Sequence, residues 1–175
     1  QDWIGARKTS VGSQLWWNWE LDRERYPGWE EFRDELHSAG ARVLTYVNPF
    51  LVDVSERDTP CDRNLYLEAD QAGYLVQNER GAPYLVKNTS FSAGMVDLSN
   101  PEAREWLKAV LRDQVLGAGA SGWMADFCEA LPFDAVMHSG ISGATYHNQY
   151  PVDWAQLNAE AISEAGREGD IVFFN

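Results

Sequence analysis

Three short apolar segments, each preceded by a helical pattern, constrain the fold of this chain more than any other feature. They span residues 42–47, 122–127 and 171–174, and their β-branched and aromatic side chains are typical of buried strands. A repeated helix–strand order is typical of parallel strands that are joined by crossover helices. We therefore predict an α/β fold built on a parallel sheet.

Helix signals stand in front of all three segments. Apolar residues recur at helical spacing over 29–39, and a further amphipathic pattern runs over 152–165. Between them, Asn100 followed by Pro101 is a strong helix start, and that helix is predicted to close near Gly117. Each predicted strand therefore follows a predicted helix.

A β-hairpin is predicted between the first and second strands. The segments 74–76 and 84–86 are both Tyr-Leu-Val, and they flank the turn sequence Glu79-Arg80-Gly81. Such a hairpin is an excursion from a parallel barrel rather than part of it. An open, doubly wound sheet is the rival architecture, but the chain has no glycine-rich phosphate loop to support it. Both ends fall at strand-like sequence, which favours a fragment of a larger barrel, with residues 1–175 in a single domain and both ends truncated.

Charge and composition exclude several classes of function. The formal net charge of −13 argues against a nucleic-acid or anionic-membrane surface. The sequence contains no apolar run of the roughly 20 residues needed to cross a bilayer and no signal-peptide pattern, which fits a cytoplasmic enzyme. Cys61 and Cys128 have no metal-ligand spacing, so we expect no metal site and no cofactor. The eight Trp residues serve either as core or as flat platforms for sugar rings.

Candidate site residues follow the predicted strands, because active groups in a (β/α) barrel lie at the carboxyl ends of its strands. Gln1, Asp2, Asn48, Asp126 and Asn175 occupy such positions. A carboxylate at the end of an apolar strand is costly unless it is paired or used, so Asp126 is either a structural partner at the strand end or a catalytic group. Glycosidase chemistry needs one ionised carboxylate beneath the anomeric carbon and a second, protonated one near the leaving oxygen.

Other ionisable residues near Asp126 in the sequence are weaker candidates. Glu129 is either a second catalytic acid or a group that supports Asp126 by hydrogen bonding or by holding an arginine. His37 is expected to be structural, whereas His138 and His147 lie in the loop after Asp126, within possible reach of a ligand.

The sequence resembles glycoside hydrolase family 31. The resemblance is carried by Asp126-Phe127-Cys128-Glu129, which follows Gly122-Trp123-Met124-Ala125, and by the segment 96–103. The opening Gln1-Asp2-Trp3 and the run Trp17-Asn18-Trp19 resemble the sulfoquinovosidase branch of that family.

The resemblance implies about strands 2 to 5 of a (β/α)8 TIM barrel and a retaining α-glycoside hydrolase with a small-molecule glycoside as its partner. The expected substrates are sulfoquinovosyl glycerides. Asp126 takes the nucleophile position, Gln1 lies where sugar hydroxyls are bound, and Trp17 takes the position that helps to hold the sulfonate. Asp2 and Gln14 are further expected substrate-binding residues.

Two positions depart from the branch pattern. Gln14 stands where an arginine usually contacts the sulfonate, and a neutral amide donates a weaker hydrogen bond to that group. An α-glucosidase or α-xylosidase is therefore the alternative. Cys128 replaces the usual glycine.

The acid/base aspartate of the family lies on a later strand, and no residue of this chain matches it. We therefore expect the isolated chain to be inactive. A non-catalytic carbohydrate-binding relative is the alternative from another functional class.

Overall fold

A computed structural model describes residues 2–175. The strands are β1 (Ala6–Thr9), β2 (Gly12–Leu15), β3 (Leu44–Val47), β4 (Phe50–Leu51), β5 (Leu85–Asn88), β6 (Phe91–Met95), β7 (Gly122–Ala125) and β8 (Val172–Phe174). The helices are α1 (Trp29–Ser38), α2 (Leu65–Ala72), α3 (Pro101–Val110), α4 (Gly143–Tyr146) and α5 (Tyr150–Glu164), with a π-helical segment, Leu111–Leu116, extending α3. None of these helices is long and apolar enough to cross a membrane.

The central sheet is parallel and has the order β3-β7-β8. Helices α1, α3 and α5 precede its three strands along the chain, as the alternating helix and strand patterns predict. The α/β prediction is therefore confirmed. The assignment to about strands 2 to 5 of an eight-stranded barrel stays a prediction.

The predicted hairpin around Glu79-Arg80-Gly81 is not confirmed in the form expected. The chain does reverse there, since the Tyr84 N–H donates to the Val76 carbonyl at 2.8 Å and an antiparallel bridge joins Gln77 to Pro83, but the segments 74–76 and 84–86 do not form two full strands. The longer hairpin is β5–β6, which turns at Thr89-Ser90 and belongs to an antiparallel sheet of order β4-β6-β5. A second hairpin, β1–β2, lies near the amino terminus.

Helix α5 packs on the outer face of β7 through a buried polar network. Trp123 and Trp154 are fully buried, and the Trp123 Nε1 donates to Asn158 Oδ1 at 2.7 Å. Asn158 Nδ2 in turn donates to the Trp154 carbonyl at 2.8 Å, and Trp154 Nε1 donates to the Ala125 carbonyl at 3.1 Å. Because buried polar groups are costly when unpaired, these bonds fix α5 against the end of β7. The residue that follows that end is Asp126.

Candidate active site

Asp126 lies at the carboxyl end of the middle strand of the parallel sheet. Its backbone N–H donates to the Val47 carbonyl at 3.0 Å, which extends the pairing of β7 with β3 by one residue. The side chain is half-buried, and its Oδ2 accepts a hydrogen bond of 3.0 Å from the Tyr46 hydroxyl. The contacts within residues 2–175 leave the second oxygen, Oδ1, without a hydrogen bond. One oxygen of the carboxylate is therefore fixed and the other is available.

Tyr46 is itself held in place by Asn48 and Trp3. Asn48 is fully buried; its Nδ2 donates to the Tyr46 hydroxyl at 3.2 Å, and its Oδ1 accepts from the Phe50 N–H at 2.9 Å. The indole of Trp3 donates to the Tyr46 carbonyl at 2.9 Å. Burial, assisted by the negative charge of Asp126, raises the pKa of Tyr46, although the bond from Asn48 opposes this. The phenol therefore stays protonated and donates to Asp126 across the working pH range.

Phe127 turns the chain immediately after Asp126. Its φ of 56° is in the left-handed region, and no other non-glycine residue of the described chain has a positive φ. The turn places the Phe127 ring 5.6 Å from the ring of Trp17, which also packs against Phe50 and Phe91 at 5.5 and 5.0 Å. Trp17 is 6% exposed. These four residues form an aromatic cluster, which Phe127 joins to the end of β7.

A cavity of about 210 Å³ opens against this aromatic cluster. Its wall mixes apolar rings with the polar end of β5. Aromatic faces with a few polar groups are typical of sugar-binding sites. The lining residues are Trp17, Phe50, Val86, Lys87, Asn88, Thr89, Phe127 and Ala130.

Gln14 lies at the edge of this cavity, although it does not line it. Its Nε2 donates to Thr89 Oγ1 at 2.7 Å, and its Oε1 accepts from the Ser90 hydroxyl. Gln14 therefore ties the β1–β2 hairpin to the turn between β5 and β6. The structure brings Gln14, Trp17 and Asp126, three of the predicted site residues, to one region.

The predicted binding residues at the start of the chain give a different result. Gln1 lies outside the described residues. Asp2 Oδ1 accepts from the N–H groups of Ile4 and Gly5, each at 3.2 Å, and its Oδ2 accepts from the Tyr26 hydroxyl at 2.7 Å. Both oxygens of Asp2 are thus engaged within the chain, so binding of a sugar by Asp2 stays a prediction.

The remaining ionisable candidates lie around the same loop. Glu129 is exposed and has no hydrogen bond within the described part of the chain, but its charge contributes to the raised pKa of Tyr46. His147 Nδ1 lies 2.6 Å from the Leu131 carbonyl, and its ring stacks on Phe133 at 4.3 Å. His138 is exposed. Support of Asp126 by Glu129 stays a prediction.

Tyr46 is a residue of the candidate site that sequence reasoning missed. A signal for it existed, because alternation along a strand places Tyr46 and Asn48 on the same face of the sheet as Met124 and Asp126.

Neither cysteine nor any acid or histidine cluster forms a metal centre in the part that the structure describes. Cys61 and Cys128 are free, half-buried thiols. No group of three or more His, Cys, Asp or Glu side chains within residues 2–175 is arranged to hold a metal ion.

Comparison with known proteins places this geometry among sugar-cleaving enzymes. Residues 2–174 match the model of the glycosyl hydrolases family 31 TIM-barrel domain. The chain is 41% identical over 174 residues to a sulfoquinovosidase of Escherichia coli K12, covering 99% of the chain and 24% of that protein. It is 27% identical over 160 residues to the α-xylosidase XylQ of Lactiplantibacillus pentosus, covering 91% of the chain and 20% of that protein.

A solved structure of the same family also matches the chain. A family 31 sulfoquinovosidase from E. rectale, in complex with an aza-sugar inhibitor, superposes with a TM-score of 0.89 and 43% identity, covering 99% of this chain and 25% of that one. The chain therefore spans about a quarter of the length of its sulfoquinovosidase relatives.

Proposed function

Since this chain belongs to the TIM-barrel domain of glycosyl hydrolases family 31, we propose that its full-length protein is a retaining α-glycoside hydrolase that releases sulfoquinovose from sulfoquinovosyl glycerides. One observation carries the proposal: a carboxylate at the end of a parallel strand, fixed through one oxygen, is followed directly by Phe127, which lines an aromatic cavity. The choice of sugar is supported by the two sulfoquinovosidases at 41% and 43% identity.

In the proposed reaction Asp126 is the nucleophile. Its free oxygen attacks the anomeric carbon, the bond to the glycerol oxygen breaks, and that oxygen keeps the electron pair and takes a proton from a general acid. The product is a glycosyl ester on Asp126. Water then attacks the same carbon, gives a proton to the group that acted as acid, and releases the carboxylate. Two inversions at one carbon give net retention.

The second carboxyl group of this mechanism is expected outside the 175 residues. In retaining enzymes the two carboxyl groups lie about 5–5.5 Å apart, on opposite sides of the scissile bond. The family resemblance implies an aspartate on a later strand in that role. The proposal therefore concerns the full-length protein.

Tyr46 is a positioning residue in this scheme. Its hydroxyl occupies Asp126 Oδ2, which leaves Oδ1 to face the sugar, and the buried Asn48 fixes the phenol. The bond also weakens as negative charge leaves the carboxylate during ester formation, so its contribution to rate is smaller than that of Asp126.

Tyr46→Phe is expected to lower kcat about tenfold, because the carboxylate loses the bond that orients Oδ1 toward the sugar while the ring still fills its site. The measurement is steady-state kinetics of the full-length protein on a 4-nitrophenyl α-glycoside. Tyr66→Phe is the matched control: Tyr66 is half-buried on α2 and has no hydrogen bond to Asp126. Equal losses in the two variants would contradict a positioning role for Tyr46.

An α-glucosidase or α-xylosidase is the second candidate, and Gln14 favours it. A neutral amide that is already bonded to Thr89 and Ser90 offers little to an anionic sugar. The 27% identical relative XylQ is an α-xylosidase, and xylose is an uncharged sugar.

Substrate comparison tests the proposal directly. The full-length protein is assayed on 4-nitrophenyl α-sulfoquinovoside, α-glucoside and α-xyloside. We expect turnover of the sulfonated substrate and little of the other two. Turnover of the glucoside or xyloside alone would support the second candidate function, an α-glucosidase or α-xylosidase. Binding without turnover of any of the three would support a non-catalytic carbohydrate-binding relative.

A further inference from the structure

The peptide group that joins Ala125 to Asp126 is held from both sides. Its N–H, which belongs to Asp126, donates to the Val47 carbonyl at the end of β3, at 3.0 Å. Its C=O, which belongs to Ala125, accepts from the indole N–H of Trp154 in α5 at 3.1 Å. The C=O and N–H of a trans peptide point in opposite directions. The backbone from which the Asp126 side chain projects is therefore fixed between β3 and α5.

The indole that holds the Ala125 carbonyl is itself fixed by β7. Asn158 Nδ2 donates to the Trp154 carbonyl at 2.8 Å, and Asn158 Oδ1 accepts from Trp123 Nε1 at 2.7 Å. The bonds thus run from Trp123 in β7 to α5 and return to β7 at Ala125. Trp123, Ala125, Trp154 and Asn158 are fully buried, so none of these polar groups can exchange its partner for water. This network sets the position of the Trp154 N–H relative to the strand that carries Asp126.

Asp126 is restrained at two levels by these contacts. The Tyr46 hydroxyl holds its side chain through Oδ2, and Trp154 holds the backbone just before it. Trp154 is fully buried and does not line the cavity of Trp17 and Phe127, so it has no direct contact with a sugar in that cavity. Any effect of Trp154 on the reaction must therefore pass through Asp126.

We propose that Trp154 is a positioning residue for the reaction, and that its indole N–H fixes the place from which Asp126 attacks. This inference rests on the proposed function. Misplacement of a reacting group by about 1 Å can lower a rate about 100-fold. Loss of one of the two bonds to the peptide group before Asp126 is therefore expected to lower kcat, even though the lost group lies behind the sheet.

A purely structural role for Trp154 predicts a different result, and Trp29 provides the comparison. Trp29 is also buried, and its Nε1 donates to the Ala118 carbonyl at 2.8 Å. Ala118 lies before the amino end of β7, whereas Asp126 follows its carboxyl end. If both indoles only stabilise the fold, their replacement lowers the melting temperature and leaves the kcat of the folded protein unchanged.

The test is Trp154→Phe in the full-length protein, which removes the N–H and keeps an aromatic ring. Kinetics are measured on whichever of the three 4-nitrophenyl α-glycosides the wild type hydrolyses, at a temperature where every variant is folded. We expect kcat to fall about tenfold with KM within about twofold, because the nucleophile is displaced while the cavity is untouched. Trp29→Phe, the matched control, should keep kcat within about twofold.

A second variant covers the case in which the smaller ring prevents folding. Benzothienylalanine at position 154 has the shape of the indole but carries sulfur in place of the N–H, and it should lower kcat as Trp154→Phe does. Unchanged kcat in the folded variant, a loss confined to KM, or equal losses of kcat at positions 154 and 29 overturns the inference, while the glycosidase proposal survives. If the wild type hydrolyses none of the three glycosides, the proposed function fails and the inference fails with it.

Discussion

Asp126→Ala in the full-length protein should reduce kcat/KM by about 10⁴-fold or more, because loss of the nucleophile removes the whole covalent route. The methyl group that remains leaves a small space beneath the anomeric carbon and keeps the aromatic cluster of Trp17, Phe50, Phe91 and Phe127 in place. Substrate binding should therefore survive. The measurement is hydrolysis of 4-nitrophenyl α-sulfoquinovoside, with binding followed separately by calorimetry.

Rescue of the variant by a small exogenous nucleophile provides a more specific test of the role of Asp126. Azide should restore part of the release of nitrophenol by Asp126→Ala, and its product should be a glycosyl azide of inverted, β configuration, because azide attacks from the side that Asp126 occupied. Asp134→Ala is the control: Asp134 is an exposed acid in the same loop, bonded to the Tyr84 hydroxyl at 2.8 Å, and its loss should change kcat/KM less than about twofold. Undiminished turnover by Asp126→Ala would remove Asp126 from the nucleophile role.

The largest expected loss of stability comes from the buried ion pair of Asp22 and Arg57. Their side chains are 7% and 4% exposed, and Arg57 Nη2 lies 2.5 Å from Asp22 Oδ2. The pair joins the start of the chain to the loop after β4, since the Asp22 N–H also donates to the Trp3 carbonyl. Asp22→Ala leaves a buried guanidinium without its partner and should lower the free energy of unfolding by about 3–5 kcal/mol. Thermal and urea unfolding of the full-length protein measure this.

An exposed pair and a double variant provide the comparison. Arg23 and Glu30 are 67% and 47% exposed, so Arg23→Ala should cost less than about 1 kcal/mol. The double variant Asp22→Leu with Arg57→Met should recover part of the loss, because no buried charge is left without its partner, although the Arg25 N–H and the Thr59 hydroxyl lose their bonds to these side chains. A loss in Asp22→Ala no larger than that in Arg23→Ala would show that the buried charges are not coupled.

The helix and strand order of the parallel sheet was predictable because each element is encoded locally. Asn100 accepts from the N–H groups of Glu102 and Ala103, as the Asn-Pro start of α3 predicts, and β7 begins at the predicted Gly122. Asp126 could be predicted as a candidate for the same reason, since its position at the end of an apolar strand is a property of the local sequence, and its role as nucleophile stays a prediction.

The pairing of distant segments was less predictable. The Val76 carbonyl accepts from Tyr84, as a hairpin predicts, but Leu75 also bridges to Val96 and the Val76 N–H donates to the Met95 carbonyl. Hydrophobicity indicates that a segment such as 74–76 is buried, but it does not indicate which other segment of the chain it pairs with. The contact of Gln14 with Thr89 spans 75 residues of sequence and leaves no periodic signal at all.

The left-handed backbone of Phe127 has a consequence for any attempt to make this protein more heat-resistant. A bulky residue in that conformation costs about 1–2 kcal/mol relative to an ordinary one. Glycine or asparagine at this position would relieve that strain, but it would also remove the ring that packs on Trp17 and so loosen the turn that carries Asp126. Relief of backbone strain and loss of aromatic packing therefore oppose each other at this one position, so a glycine there would bring little gain in heat resistance.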